Sequence, residues 1–261
     1  MRAMDIASTG MQAQQLYVEV ISNNIANLNT TGFKEQRAEF QDLLYQNLRA
    51  PGANSSDTGT VVPVGVQIGI GVKAAAVYRI NTQGNLSQTG NPLDIAIQGK
   101  GFFQVLQPDG TLAYSRAGSF QLNAQRQLVT ADGFLVQPTI AIPQGTTSIA
   151  IDQSGEVECQ VAGQVNPQNV GQIQLAVFAN DAGLLAIGQN LLKETQASGN
   201  PTVSNPGVND TGIVQQSFLE TSNVNVVNEI TNLITAQRAY EMNSKVIESA
   251  DQMQQTLSNL R

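Results

Sequence analysis

The chain has 261 residues, a formal net charge of −7 and few charged side chains, 13 basic and 20 acidic. This acidic balance, without a basic cluster, disfavours nucleic acid as a partner, and no apolar run reaches the roughly 18 residues that membrane insertion requires. The sequence lacks His and Trp and has one cysteine, Cys159, which excludes disulfides within the chain, zinc sites of Cys and His, and catalytic nucleophile–His pairs.

The first predicted domain, residues 1–32, is an amphipathic helix and the turn that follows it. Its apolar residues recur every seven positions, with others at companion positions: Met4, Met11, Val18, Ile21, Ile25 and Leu28. Gly10 weakens the helix. After Asn27 the pattern gives way to Asn, Thr and Gly, and Gly32 suits a left-handed backbone position.

Residues 33–79 are predicted to form an extended arm and an exposed, mobile loop. The stretch 33–48 fits an arm or a short helix, and its irregular apolar spacing favours the arm. Alternation from 65 to 80 predicts a strand. The intervening loop is polar and rich in turn-forming residues, among them Arg49, Pro51, Gly52, Asn54, Gly59 and Pro63.

Residues 80–212 are predicted to form a β-rich domain, because short strand patterns alternate with turn signals. Hairpins are expected at Gly99-Lys100-Gly101, at Gln153-Ser154-Gly155 and around Asp181-Ala182-Gly183. Cys159 is expected to be a small apolar core residue. A return linker, 213–222, leads to the last element.

The C-terminal domain, 223–261, is predicted to be a helix about 50 Å long that is capped by Asn223 or Asn225. It contains no Gly or Pro, and its apolar positions are Val226, Ile230, Leu233, Tyr240, Ile247, Met253 and Leu257. Such a helix needs a partner for its apolar stripe. We therefore predict an α+β fold in which the terminal helices pair as a coiled coil around an inserted all-β region. Two separate helices packed on that region are the alternative.

No set of residues has the spacing of a catalytic, metal or cofactor site. The glycines of GVQIGIGVK are not spaced as in a dinucleotide-binding loop, and the aspartates are scattered among turns. We therefore predict no enzymatic activity and no cofactor. The 31 Gln and 23 Asn outnumber the charged residues, which favours wide contact with other protein.

The segment SNNIANLNTTGFK (22–34) resembles the N-terminal signature of the bacterial flagellar axial proteins, the rod, hook and hook-associated subunits. PLDIAIQGKGFFQV and YSRAGSFQLN are similar to motifs of the rod and hook branch, and SNVNVVNEITNLITAQRAYEMNSKVIESADQM is similar to the distal-rod branch. Gln125-Arg126-Gln127 departs from the family, which usually has a Gly-containing turn there. The signature positions are Asn23, Asn24, Ile25, Ala26, Asn27, Asn29, Thr30, Gly32, Phe33 and Lys34.

This resemblance implies a structural subunit of the distal rod of the flagellar basal body, which self-assembles into a rigid helical drive shaft and carries motor torque across the periplasm to the hook. It implies as partners further copies of the chain, proximal rod and hook subunits, the peptidoglycan-ring and outer-membrane-ring proteins, the rod cap and the flagellar type III export apparatus. Our hypothesis is that residues 46–64 stiffen the rod. A proximal rod or hook subunit is the alternative within the family; a peptidoglycan hydrolase and a non-assembling binding module are alternatives from other classes.

Overall fold

The two ends of the chain are helical, and the regular structure between them is almost entirely β strand. The structure is a computed structural model that describes residues 2–49 and 64–259, without the side chain of Leu257. Helix α1 spans Arg2–Ala26 and helix α2 spans Val226–Asn259. The predicted arrangement of terminal helices around a β-rich middle is therefore confirmed.

The chain divides into two compact units that each combine distant parts of the sequence. We call the first the helical unit; it comprises Met1–Ile25, Gln36–Tyr78 and Asn225–Arg261, as far as these are described. The second, the β unit, comprises Ala26–Glu35 and Arg79–Val224. Most of the predicted arm and loop thus belongs to the same unit as the helices.

The strands of the helical unit form paired ribbons. Strand β1 (Gln36–Asp42) pairs with β4 (Val72–Arg79), and β2 (Tyr45–Arg49) pairs antiparallel with β3 (Val66–Gly69). Between the two pairs, the backbone N–H of Leu43 donates to the carbonyl oxygen of Gly71 at 2.8 Å. Residues 36–49 are therefore extended rather than helical.

Side-chain contacts that include the following two join the β1–β4 pair to α1. The rings of Tyr17 and Phe40 meet edge to face with centroids 6.2 Å apart, a favoured aromatic geometry. The backbone N–H of Val72 donates to Thr9 Oγ1 at 3.3 Å. Neither helix has the apolar length that crossing a membrane requires, among the residues the structure describes.

The β unit is built from short strands, as predicted from the regular spacing of turn signals. They are β5 Leu86–Gln88, β6 Ile95–Gln98, β7 Phe102–Leu106, β8 Leu112–Ser115, β9 Gln121–Leu122, β10 Leu128–Val129, β11 Leu135–Gln137, β12 Thr146–Ile151, β13 Glu156–Val161, β14 Gln168–Gln172, β15 Leu175–Val177, β16 Leu185–Gly188, β17 Leu191–Lys193, β18 Thr202–Ser204, β19 Ile213–Gln216 and β20 Phe218–Glu220. The segment predicted as a return linker thus carries β19 and β20.

The largest sheet runs in the order β16-β17-β8-β7-β11-β10-β9, and β15 joins it beside β7 and pairs with β18. Strands β12, β13 and β14 form a second sheet, while β19 pairs with β6 and β20 with β5. The main core contains Ile95, Phe103, Phe120, Val157 and Leu175, all at most 1% exposed. Phe103 and Phe120 contact edge to face with centroids 5.0 Å apart.

The hairpin predicted at Gly99-Lys100-Gly101 is wrong. Strand β6 pairs with β19, far along the chain, and β7 pairs with β8, β11 and β15. Gly99 and Gly101 both have positive φ angles (110° and 130°), so the chain does turn here. The Arg116 guanidinium donates to the carbonyl oxygens of both glycines. The strands on either side of this turn do not bond to each other, so the Arg116 side chain supplies the hydrogen bonds that hold the turn.

Of the other two predicted hairpins, one is confirmed and one is wrong. Strands β12 and β13 pair antiparallel, and the N–H of Gly155, at φ 80°, donates to the carbonyl oxygen of Asp152 at 2.9 Å. Around Asp181–Gly183 the chain instead forms a short 3₁₀ helix. Its flanking strands β15 and β16 pair with other strands of the large sheet.

Two local expectations in the β unit are settled by burial and backbone geometry. Cys159 is fully buried, as predicted, and burial raises the pKa of its thiol. At Gln125-Arg126-Gln127 the chain makes a tight turn, in which the Arg126 N–H donates to the carbonyl oxygen of Asn123 at 2.9 Å. Arg126 has a φ of 60°. A non-glycine residue therefore takes up a left-handed conformation that glycine adopts more readily.

Candidate assembly surfaces

The two terminal helices contact each other within the helical unit. Asn24 Nδ2 donates to Glu229 Oε2 at 3.0 Å, and a Cβ added to Gly10 would lie 2.8 Å from Asn243 Nδ2. From the first contact to the second, the residue number falls from 24 to 10 in α1 and rises from 229 to 243 in α2. Each step is fourteen residues, so the helices run antiparallel and in register.

The buried row of α2 is small and polar rather than strongly apolar. Glu229, Ala236 and Ala250 are at most 4% exposed, and Asn243 in the same seven-residue row is half-buried. We call Glu229, Ala236, Asn243 and Ala250 the seam. Gly10 brings α1 close to this row, which gives a packing reason for a glycine inside a helix.

The predicted apolar row lies beside the seam and is only partly covered. Val226, Leu233 and Ile247 are half-buried, whereas Ile230, Tyr240 and Met253 are 46%, 44% and 60% exposed. In α1 and the following turn, Ile21 is buried, and Met4, Met11, Val18, Ile25 and Leu28 are half-buried. The Leu257 side chain lies outside the described structure.

Several apolar side chains of α2 outside the seam are exposed. A helix turns by about 100° per residue. Val227 and Ile234 therefore lie about 160° around the helix from the nearest seam residue, and the other exposed apolar positions lie at the flanks of the seam. We call this set the apolar stripe of α2: Val227, Ile230, Ile234, Met242, Val246 and Met253, all between 44% and 72% exposed. The described chain therefore leaves much of this apolar surface exposed.

A groove in the helical unit has a volume of about 520 Å³. Val18 and Tyr240 provide its apolar lining, and its polar lining is Gln15, Glu19, Gln237 and Glu241. A mixture of apolar and polar side chains is usual for a protein-binding surface.

The β2–β3 ribbon is exposed at every residue except Gly69 and carries several large apolar side chains. Every residue of β2 is exposed, including Tyr45 (57%) and Leu48 (53%), and Val66 and Ile68 of β3 are 48% and 37% exposed. A two-stranded hairpin without further cover is at most marginally stable in water. Arg49, the first residue predicted for the stiffening loop, lies opposite Val66 in this ribbon. The other predicted loop residues, Pro51, Gly52, Asn54, Gly59 and Pro63, lie outside the described residues.

The SNNIANLNTTGFK segment contains a polar side chain that anchors the end of α1. Asn24, 1% exposed, accepts from the backbone N–H of Gln36 at 2.9 Å and donates to the Gln36 carbonyl oxygen at 2.8 Å. Its amide nitrogen also meets Glu229, as described above. Asn23, Ala26 and Asn29 are exposed, and Ile25, Asn27, Thr30 and Phe33 are half-buried.

The start of α2 is capped by Asn225, one of the two predicted residues. Its Oδ1 accepts from the backbone N–H groups of Val227 at 3.0 Å and Asn228 at 3.3 Å, the usual N-cap interaction. Asn223 has another role in the β unit, which is described below.

Lys34, the last residue of the segment, belongs to a buried ion cluster in the β unit. Its Nζ lies 2.6 Å from Glu220 Oε1, and Arg116 Nε lies 2.6 Å from Glu220 Oε2. All three side chains are at most 7% exposed. Lys34 also donates to the carbonyl oxygen of Thr82, and the N–H of Gly84 donates to Glu220 Oε1. The carboxylate and the ammonium therefore have several partners each, as buried charges require.

The Glu220 carboxylate forms ion pairs with both Lys34 and Arg116. Burial alone would raise the pKa of Glu220, but the charges and hydrogen bonds of Arg116 and Lys34 outweigh it and hold that pKa below its ordinary value of 4.5. Burial lowers the pKa of Lys34, and Glu220 opposes this effect. Because the folded pKa of Glu220 is the lower one, its contribution to stability is complete above the ordinary value and is lost as pH falls through the folded value.

Neither Arg116 nor Glu220 was singled out from the sequence. Each follows or ends a short strand, in AYSRAG and SFLETS, where the pattern gave no reason to expect burial. Their pairing spans 104 residues, so it could not be read from spacing. The one indication of burial for these two residues is that few charged residues interrupt the apolar strands around them.

Comparisons with known proteins place both units in one family. Models described as "Flagella basal body rod protein", "Flagellar hook protein FlgE/F/G D1 domain" and "Flagellar basal body rod FlgEFG protein C-terminal" match residues 4–34, 96–159 and 215–260. The flagellar basal-body rod protein FlgG of Caulobacter vibrioides is 60% identical over 261 residues, which covers all of both chains. The chain belongs to the FlgG family of flagellar basal-body rod proteins.

Other FlgG proteins are also similar over their full length. FlgG of Agrobacterium fabrum is 53% identical over 99% of this chain and 98% of its own, and FlgG of Bacillus subtilis is 39% identical over 100% and 99%. As a FlgG protein, the chain is a structural subunit of the distal rod and is located in the rod of the flagellar basal body. Membership of this family implies self-assembly and association with other components of the basal body. The alternative of a proximal rod or hook subunit is not better supported.

Proposed function

We propose that this FlgG chain polymerises through its terminal helices, paired as a coiled coil, into a rigid helical shaft that carries motor torque to the hook. The observation that supports this most directly is the apolar stripe of α2. The seam already brings α2 against α1, yet side chains such as Val227 and Met242 remain 72% and 64% exposed. Exposed apolar surface of this extent marks an interaction site, and an identical neighbouring subunit supplies the same helices.

The seam makes the contacts between helices within a subunit, and the apolar stripe of α2 makes the contacts between subunits. Small seam residues such as Ala236 let the backbones of α1 and α2 approach closely. The larger stripe residues then meet neighbours through a repeated contact whose rotation does not close, and such a contact generates an open helix. The groove lined in part by Val18 and Tyr240 offers a second surface for contact with a neighbour.

The experiment that tests this proposal is the exchange Ile230→Asp in purified protein, followed by electron microscopy after concentration. Ile230 is 46% exposed in the subunit, so the variant should keep its helix content by circular dichroism and fail to form filaments. Ile230→Leu should still polymerise. The matched control is Val165→Asp, which places the same charge at an apolar residue that is 94% exposed in the β unit. Normal filaments from Ile230→Asp would refute the proposal.

The proposed partners beyond further copies of this chain follow from family membership. They are proximal rod subunits, hook subunits, the peptidoglycan-ring and outer-membrane-ring proteins, the rod cap and the flagellar type III export apparatus. Site-specific photo-crosslinking in intact basal bodies, from exposed positions such as Val165 in the β unit and Met253 in the helical unit, would identify which of them each unit meets.

We propose further that residues 46–64 stiffen the shaft by packing against a neighbouring subunit. The support is the β2–β3 ribbon, which presents Tyr45, Leu48 and Val66 to solvent at 57%, 53% and 48% exposure. Packing of this ribbon on a neighbour would bury apolar surface and add a contact outside the helices. Stiffness increases when two subunits are joined at more than one place.

A further inference from the structure

Three chain segments of the β unit are tied to one another near the positions where the backbone passes to or from the helical unit. The backbone changes units between residues 25 and 26, 35 and 36, 78 and 79, and 224 and 225. The last three changes lie next to segments 32–35, 80–85 and 220–223. All the contacts described below lie inside the β unit.

Glu220 links the third of these segments to the other two. Its carboxylate meets Lys34 at 2.6 Å and accepts from the backbone N–H of Gly84 at 2.9 Å. Its own carbonyl oxygen accepts from the backbone N–H of Gly32 at 2.8 Å. Lys34 in turn donates to the carbonyl oxygen of Thr82 at 2.8 Å, which closes the triangle.

Asn223 repeats the same three-way link closer to the ends of the segments. Its Oδ1 accepts from the backbone N–H of Glu35 at 2.7 Å. Its Nδ2 donates to the carbonyl oxygens of Ile80 at 2.9 Å and Thr82 at 3.1 Å. The backbone N–H of Ile80 also donates to the Glu35 carbonyl oxygen at 2.8 Å. One asparagine therefore saturates main-chain groups of both other segments.

Arg116 fastens this arrangement to the rest of the unit. Its guanidinium meets Glu220 and also donates to the carbonyl oxygens of Ile97, Gly99 and Gly101. Ile97 is a core residue with no exposed surface. The three segments are thus joined through buried, charge-assisted bonds, which are stronger than neutral ones, to the turn before β7.

We propose that Glu220 and Asn223 form a three-segment clamp that resists mechanical load on the β unit. Tension applied through any one of the three segments is shared by the others and passed through Arg116 to the core. Bonds loaded together must break together, whereas bonds loaded one after another break singly at lower force. The purpose of the clamp in the cell rests on the proposed torque-carrying function, but its mechanical action belongs to the single chain.

The experiment is constant-force unfolding of the full chain in optical tweezers, because forced unfolding reports the unfolding rate directly. Tethers at the two ends of the chain load the β unit through residues 26 and 224. A second pair of tethers, at the exposed positions Asp132 and Val165, loads the same unit away from the clamp. The variants are Glu220→Gln and the milder Asn223→Ala. The control is Asp210→Asn, which breaks an exposed ion pair. Its members, Lys100 and Asp210, are 65% and 76% exposed.

With end tethers we expect the unfolding rate of the β unit to rise about tenfold or more in Glu220→Gln, since a buried ion pair is broken. Asn223→Ala should show a smaller rise and Asp210→Asn none. With the 132/165 tethers the rise should be much smaller for both clamp variants. Equal rises with both tether pairs would mean general destabilisation and would overturn the proposal, as would unchanged rates with end tethers. If Glu220→Gln does not fold, the unfolding rates of Asn223→Ala with the two pairs of tethers decide whether the clamp exists. Absence of filaments would refute the proposed polymer and leave this result unaffected.

Discussion

At the scale of single residues, a left-handed glycine lies where the N-terminal family signature meets the buried ion cluster. Gly32 has a φ of +69°, and a Cβ at this position would lie 2.8 Å from the carbonyl carbon of Arg116 and 2.8 Å from the nitrogen of Ala117. Both neighbours are backbone atoms, which cannot turn aside as a flexible side chain would. Gly32 is therefore constrained by its conformation and by its surroundings.

We expect Gly32→Ala to lower the free energy of unfolding of the β unit by roughly 3 kcal/mol or more, from left-handed strain of about 1–2 kcal/mol and a backbone clash. The matched control is Gly110→Ala, because Gly110 has a φ of +80° and nothing within 4 Å of the added carbon. That variant should lose only the strain contribution, about 1–2 kcal/mol. Urea denaturation measures both, and equal losses would show that packing around Gly32 has no effect.

The residues that were predicted correctly are those whose chemistry is local. The Asn225 cap and the turn at Gly155 each depend on neighbours within three residues, so the sequence around them is sufficient. The Lys34–Glu220 pair spans 186 residues. Its members look like ordinary charged residues until the fold brings them together, so no local pattern identifies them.

At the scale of elements, the terminal helices were predictable, but the face that each uses was only partly so. Seven-residue spacing correctly indicated two helices, because the period of apolar residues reflects helix geometry. It also selected the most apolar row of α2, whereas the structure buries Ala236 most completely. A hydrophobic pattern tells which residues need a partner. It does not tell whether that partner lies in the same chain or in another copy.

Strand pairing failed for a related reason. A glycine-rich turn such as Gly99-Lys100-Gly101 predicts a change of direction, and the chain does turn there. Whether the flanking strands then pair with each other depends on competing partners, and β6 finds β19 more than a hundred residues away. Only the β12–β13 hairpin, with its short turn at Gly155, pairs locally among the three that were predicted.

Asn24 is the residue through which α1, β1 and α2 depend on one another. Asn24→Ala would leave the backbone N–H of Gln36 and the carboxylate of Glu229 without their partner. We expect the helical unit to lose about 3 kcal/mol of unfolding free energy, since each abandoned buried group costs about 1–3 kcal/mol. A buried polar contact of this kind also fixes the register of paired helices.

The measurement is urea denaturation followed by far-ultraviolet circular dichroism, which reports mainly the two long helices. Gln12→Ala is the control, because Gln12 is exposed on the same helix and such surface changes usually alter stability by less than about 0.5 kcal/mol. A loss in Asn24→Ala no larger than that of the control would mean that α1 and α2 are held together by their apolar and small side chains alone.

At the scale of the whole molecule, the chain separates the groups that hold each unit together from those that remain for neighbours. The ion cluster and the Phe103–Phe120 core lie inside the β unit, and the seam lies inside the helical unit. Within the helical unit, the large apolar side chains that remain exposed lie mainly on α2 and in or beside the β2–β3 ribbon. Uncharged amides supply much of the remaining polar surface, and hydrogen bonds between them are hardly screened by salt.

The ribbon offers the sharpest test of how a shaft becomes stiff. We expect a variant in which residues 46–64 are replaced by a short Gly-Ser turn to polymerise through its helices but to form curved, flexible filaments. The physical reason is the loss of the exposed apolar ribbon as a second point of attachment between subunits. Cryo-electron microscopy of the filaments measures their curvature and persistence length.

The matched control replaces residues 163–167, the turn between β13 and β14, by the same Gly-Ser turn. It shortens an exposed segment of the β unit without touching the ribbon, so its filaments should remain straight. If the 46–64 variant also forms straight filaments with the persistence length of the unaltered protein, the ribbon has no part in stiffness, and the helices alone must provide it. If both variants curve, shortened segments in general disturb the packing, and the effect is not specific to the ribbon.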